Sequence, residues 1–283
     1  MTEGGLTVRV AGPEEVALIL DWAAAEGWNP GAKDAACFRV QDPQGFFIGV
    51  DEGSDPVSAV SVVNYGEGFA FLGCYIVRPE ARGRGYGMAT WRTGLAHAGG
   101  RPVGLDGVIA QQDNYRKSGF SLAHRNIRFG GTVAMPERID GSIVPLSTVR
   151  FEDLLAYDAA CFPAERPAFL RAWTTAPGHH ALGLLRDDRL AGFGVARPCR
   201  EGTKVGPLFA DDRTAAEALF DGLAASAGGG LLFLDVPEPN APAVALAEAR
   251  GLRPVFETAR MYTAPVRAIA DERVFGITTF ELG

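Results

Sequence analysis

The chain has 283 residues, 47% of them hydrophobic and 22% charged, a globular composition that excludes disordered, collagen-like and fibrous proteins. At roughly 100–200 residues per domain, this length favours two medium domains over one large one. With 27 Lys and Arg against 34 Asp and Glu, the net charge of −7 argues against a general nucleic-acid binder.

In chain order, apolar residues at helical spacing predict helices over Glu14–Glu26, after Gly12-Pro13, and over Ala32–Val40, after the breaker Trp28-Asn29-Pro30-Gly31. Strand patterns follow at Gly45–Val50, Val57–Asn64 and Phe69–Val77. The last of these runs into the loop Arg78-Pro79-Glu80-Ala81-Arg82-Gly83-Arg84-Gly85-Tyr86-Gly87. Behind it a helix is expected over Gly87–Ala98, stopped by Gly99-Gly100. A strand at Val103–Val108, a short helix at Ala110–Ser118 and a strand at Phe120–Phe129 complete this half.

The second half repeats the order, which predicts an internal duplication. Helices are expected at Phe151–Cys161 and Pro167–Trp173, then strands at His180–Arg186, Leu190–Ala196 and Thr203–Phe209. A helix at Arg213–Ala227, a strand at Leu231–Val236, a helix at Pro242–Arg250 and a strand near Pro254–Tyr262 follow. The segment Gly131–Ser147 reads as the linker, dividing the chain into domains 1–138 and 139–283. Val274–Leu282 reads as an extra strand, which either closes its own sheet or crosses to the other.

Cys37, Cys74, Cys161 and Cys199 lie far apart without CxxC spacing, which predicts buried thiols in a reducing compartment. The histidines, at 97, 124, 179 and 180, form no HExxH pattern, so no metal is expected. The first residues have neither a basic nor an apolar leader region, and no apolar run reaches the roughly 20 residues that span a bilayer. A soluble, cytoplasmic protein without membrane partners is expected.

The loop Arg82-Gly83-Arg84-Gly85-Tyr86-Gly87 joins a predicted strand to a predicted helix. Its glycines let successive amides face one concavity, the helix start adds positive potential, and Arg78, Arg82 and Arg84 reinforce it. Such a turn either holds a pyrophosphate or is a tight connection with solvated arginines. A dinucleotide fingerprint would need glycine where Met88 stands.

The loop fits R-x-x-G-x-G and is followed, one strand later, by Tyr115-Arg116-Lys117-Ser118-Gly119-Phe120. With this pair of motifs the chain resembles the GNAT superfamily of acyl-coenzyme-A-dependent N-acyltransferases. The resemblance covers most of the first half and reaches the second only through the order of elements. It implies an α/β fold with two tandem mixed, mostly antiparallel sheets flanked by helices. It further implies a pantetheine carrier bonded to the backbone of Ile76 and Val77, with the pyrophosphate on Arg82, Gly83, Arg84, Gly85, Tyr86 and Gly87. Acetyl-CoA is the implied cosubstrate, and Tyr115 is implied to lie beside its sulfur. A phenol with a pKa of about 10 stays protonated at neutral pH and can donate to a departing thiolate; the alternative is a core tyrosine.

Departures from the family pattern guide the rest. Val108 stands where the family's short helix often carries Asn, leaving Gln111, Gln112 or Asn114 to contact the cofactor. In the second half Asn240 and Ala243 fit, but Ala247 replaces the tyrosine, and Asp211-Asp212 lies where phosphate would sit. The second half is therefore expected to have lost binding and catalysis and to shape the acceptor pocket. Trp22, Trp28 and Asn29, near Asp21 and Glu26, are candidates for binding a cationic amine, or else pack in the core. Asp106 and His124 are alternative candidates for the general base, neither preferred. The expected activity is acetyl transfer to the primary amine of a small molecule or peptide, by a monomer or homodimer. The alternative is a non-catalytic acyl-CoA binding or sensing protein.

Overall fold

The computed structural model describes residues 2–3 and 5–283. The leading half begins with β1 (Thr2–Glu3) and β2 (Leu6–Val10), followed by helices α1 (Pro13–Ala25) and α2 (Asp34–Gln41). Then come β3 (Phe46–Val50), β4 (Pro56–Tyr65), β5 (Phe69–Val77), α3 (Tyr86–Ala98), β6 (Val103–Val108), α4 (Gln112–Lys117) and β7 (Ser121–Val133). The trailing half runs β8 (Ile143–Pro145), α5 (Phe151–Cys161), α6 (Pro167–Thr175), β9 (His180–Arg186), β10 (Arg189–Pro198) and β11 (Thr203–Ala210). It ends with α7 (Arg213–Ser226), β12 (Gly230–Pro237), α8 (Ala241–Ala249), β13 (Arg253–Tyr262) and β14 (Val274–Gly276).

The mixed α/β class is as expected, but the two sheets are continuous. Strands follow the order β1-β2-β3-β4-β5-β6-β13-β7-β12-β11-β10-β9-β8, with β14 paired to β11. Each half thus lends a strand to the other: β13 lies beside β6, and β7 lies beside β12. A duplicated charge pair spans the exchange. Arg128 and Arg260 each stand nine residues after the glycine that ends the preceding helix, Gly119 and Gly251. Arg260 on β13 donates to Asp106 on β6 at 2.8 and 2.6 Å, and Arg128 on β7 donates to Asp235 on β12 at 2.7 and 2.8 Å. Burial opposes the charge on Arg260, but the Asp106 carboxylate outweighs it and holds the guanidinium pKa up.

Such pairs are costly to break rather than strongly stabilising in themselves. Arg260→Met is expected to destabilise the protein by about 3–5 kcal/mol, because it strands a buried carboxylate. Adding Asp106→Leu is expected to restore most of that loss, as read from urea unfolding midpoints.

A shared aromatic core also binds the halves. Phe38 of α2 stacks on Trp173 of α6 with ring centroids 6.0 Å apart, and Trp173 donates its indole N–H to the Gly206 carbonyl. Buried side chains of this size contribute roughly 1.5–3 kcal/mol each.

Three local expectations change. Alternation in Leu6-Thr7-Val8-Arg9-Val10 forms a strand the sequence reading passed over. The linker Gly131–Ser147 is partly ordered sheet, since β7 continues to Val133 beside β12 and Ile143–Pro145 pairs with β9. Val274–Leu282 is a strand only to Gly276, because its next residues turn away between the halves. Among the described residues no helix is long and apolar enough to cross a membrane.

Candidate active site in the leading half

Strands β5 and β6 are parallel neighbours only where Ala70–Leu72 meets Val103–Leu105. Beyond that point β5 is bulged: Cys74 and Tyr75 occupy the space that Val60 alone fills on β4, and Cys74 has φ +47°. The bulge bends β5 away from β6 and breaks the ladder. The resulting wedge is a cavity of about 500 Å³, lined by Ile76 and Val77 on one side and by Asp106, Gly107 and Val108 on the other. Arg82, Glu26 and Gln111 stand at its rim and Tyr115 within it.

The loop above the wedge presents unclaimed donors. Gly85 caps α3 in the left-handed region at φ +83° and supplies no side chain to the first helical turn. Among the described residues, the amides from Gly83 to Gly87 have no acceptor. Arg84 lies over the Tyr86 ring, 4.5 Å from its centroid, and Tyr86 itself is buried in the core beneath. Arg82 donates from Nε to the Val77 carbonyl at 2.9 Å and pairs with Glu26 at 2.7 Å. The set fits a pyrophosphate, which takes backbone donors at a helix start and tolerates nearby guanidinium groups.

The trailing half fills both of these places itself. The Asp212 side chain caps α7 by accepting from the Ala215 amide at 2.9 Å and pairs with Arg186. Its wedge, between β11 and β12, is occupied by β14, which pairs with Leu208 and Phe209, while the Ile277 amide bonds the Asp235 carbonyl at 2.9 Å. Asn240, the asparagine that fits the family pattern, accepts from the Ala243 amide and donates to the Val274 carbonyl.

Tyr115 stacks on Trp91 with centroids 5.7 Å apart. Its ring lies flat against Gly107, where a Cβ would come within 2.1 Å of it, so only glycine admits the ring at that place. Burial, with a smaller contribution from the neighbouring Tyr75, pushes its pKa up to about 12. A phenol in that state is a proton donor across the physiological range.

Other sequence candidates separate. Trp28 lines the cavity, and its carbonyl accepts from Arg128 at 2.8 Å and Lys204 at 3.2 Å. Trp22 packs against the core, away from the cavity. Asn29 exchanges two 2.9 Å hydrogen bonds with the backbone of Glu201, so its side chain clamps the halves together and does not face the cavity. Asn114 is exposed and bonds Gln111 at 2.7 Å; Gln111 reaches the rim and Asn114 does not. Asp106 is held by Arg260 and by Asn126 at 2.8 Å, which leaves it no free role as a base. His124 lines a separate cavity with Cys161 and Asn240, and burial and Arg260 pull its pKa down to about 4.

Sequence reasoning missed the floor of the wedge. Phe256 and Thr258 reach it from β13, and Phe280 and Glu281 from the closing segment. The strand exchange carries the first pair there, and no local pattern announces it. A single acid in the apolar run Val274–Leu282 was the one available signal for the second pair. Among the described residues, no three His, Cys, Asp or Glu side chains converge as a metal site would require.

Residues 14–120 match the family described as "Acetyltransferase (GNAT) family", and residues 154–276 match one described as "Acetyltransferase (GNAT) domain". Holothin acyltransferase of Pseudoalteromonas sp. (strain SANK 73390) is 29% identical over 278 residues, covering 98% of this chain and 94% of that protein. A candidate acetyltransferase crystallised from Pyrococcus horikoshii has the same fold, with a TM-score of 0.85 at 21% identity, over 100% of this chain and 98% of that one. A tandem GNAT protein from the clavulanic acid biosynthesis pathway superposes with a TM-score of 0.63 at 15% identity, over 92% of this chain and 99% of that one.

Proposed function

Because this chain belongs to the GNAT superfamily and carries one such domain in each half, we propose that it transfers an acetyl group from acetyl-CoA to the primary amine of a small acceptor. We take the catalytic domain as 1–138 and the non-catalytic one as 139–283. The observation that carries this reading is a paired one. Uncapped amides at Gly83–Gly87 overlook an open wedge holding Tyr115, while the equivalent helix and wedge of the trailing half are closed by Asp212 and β14. Pantetheine would lie along β5 at Ile76 and Val77, its thioester toward Tyr115. The acceptor nitrogen attacks the thioester carbon, the carbon–sulfur bond breaks, and the Tyr115 hydroxyl protonates the departing sulfur. Four free cysteines suit the reducing cytoplasm as its place of work.

Release of free CoA thiol on incubation with acetyl-CoA and a panel of primary amines tests the activity. Binding of CoA without turnover of any amine would instead identify an acyl-CoA sensor. Titration calorimetry is expected to give one CoA per chain. A value of two would show the trailing half to be competent, against the capping by Asp212.

A further inference from the structure

Among the described residues the buried acids follow one rule, with a single exception at the cavity. Asp34 pairs with Arg197, Asp106 with Arg260, Asp158 with Arg166, and Asp235 with Arg128. Glu281 is 2% exposed, lines the wedge of the leading half, and has no hydrogen-bond partner among the described residues at either carboxylate oxygen. A buried carboxylate without a partner costs several kcal/mol, so its presence in a cavity points to a ligand that completes it.

Its placement is built. The Glu281 carbonyl lies where a Cβ on Gly73 would stand, 2.2 Å from that position, so only glycine on β5 lets the closing segment approach so closely. The segment is then anchored on both sides of Glu281. The Thr279 hydroxyl accepts from the Leu282 amide at 2.9 Å, and the Tyr65 hydroxyl donates to the Leu282 carbonyl at 2.9 Å. Phe280 lines the same cavity beside it.

Resting on the acyltransferase reading above, we propose that Glu281 receives the acceptor as an ammonium ion and takes its proton. The trailing half thereby supplies the base for chemistry in the leading half. The ammonium gives one proton to the carboxylate, and the freed lone pair forms the carbon–nitrogen bond. The carbon–sulfur pair goes to sulfur, which takes the Tyr115 proton. The cationic amide nitrogen then returns a proton to the phenolate, and Glu281 releases its own to solvent. One ammonium and one thioester become one amide, one thiol and one proton. Several charged or titratable groups surround Glu281. Arg128 is paired with Asp235, Arg197 meets Asp34 through Nε and has no hydrogen-bond partner at either terminal nitrogen among the described residues, Lys204 donates to the Trp28 carbonyl, and the Cys74 thiol is pushed up by burial first and by Glu281 second. Asp235 lies behind Arg128.

The test compares wild type, Glu281→Gln and Glu281→Asp for thiol release with a primary alkylamine the wild type acetylates, from about pH 7 to pH 10, with CoA affinity measured alongside. Glu281→Gln is expected to bind CoA as wild type does and to turn over about 100-fold more slowly at neutral pH. The gap should narrow toward the amine's own pKa, where solvent supplies the neutral amine, and Glu281→Asp should recover part of the rate. A wild-type enzyme beside an equally fast Glu281→Gln overturns the proposal, as does a loss of the same size at every pH in both variants. If wild type binds CoA and acetylates no amine, the acyltransferase reading fails first and takes this proposal with it.

Discussion

Gly85→Asp is expected to weaken CoA binding by about 100-fold or more, at a cost in stability of only about 1–2 kcal/mol. The position caps α3 at φ +83°, a conformation that aspartate tolerates better than most residues. An aspartate side chain can also accept from the first amides of a helix, so the helix persists despite that strain. Binding suffers for the same reason. A carboxylate there would take the amides that otherwise face the pyrophosphate and would set a negative charge against it. Charge-assisted hydrogen bonds are worth roughly 1.5–3 kcal/mol each, and each 1.4 kcal/mol is about tenfold in affinity. In the trailing half Asp212 covers the equivalent helix start from an extended backbone, accepting from the Ala215 amide. Calorimetric titration with CoA, beside a melting curve, checks both halves of the expectation; unchanged affinity would remove the loop from the binding site.

Tyr115→Phe is expected to lower kcat about 100-fold with CoA affinity little changed. The ring would keep its stack on Trp91 and its contact with Gly107, so only the proton is lost, and positioned acids contribute typically 10²–10⁴-fold. The pH dependence follows from the direction of the shift. In the proposed mechanism the active form is the protonated phenol, and burial raises its pKa to about 12, so protonation persists to higher pH than in a free tyrosine. Wild-type kcat should therefore show no alkaline fall from this group below about pH 11. A descending limb near pH 9 that disappears in Tyr115→Phe would contradict the assignment.

What could be read in the chain was what is local to a strand, a turn and a helix. The glycines at 83, 85 and 87 and the tyrosine before Gly119-Phe120 sit within a few residues of the backbone geometry that gives them meaning, and the structure gathers Ile76, Val77, Arg82 and Tyr115 around one cavity. Candidates chosen for residue type alone fared differently. Asn29 and Asp106 are polar residues near the wedge in sequence, yet each is consumed by a partner more than a hundred residues away, Glu201 and Arg260 respectively. Trp22 obeyed the helical period and turned to the core.

By itself, then, the sequence determined most of the order of strands and helices, the duplication, and the single glycine-rich loop with no counterpart in the second half, because periodicity, capping and turn chemistry act over short stretches. Only the tertiary structure decided that β7 and β13 change places, that β14 closes one wedge, and that Glu281 enters the other. Either exchanged strand would satisfy the open edge of β6 equally in pattern. The pairings that span the exchange, Asp106 with Arg260 and Asp235 with Arg128, join residues far apart in the chain, and because they are duplicated they leave no mark in the sequence that tells one arrangement from the other.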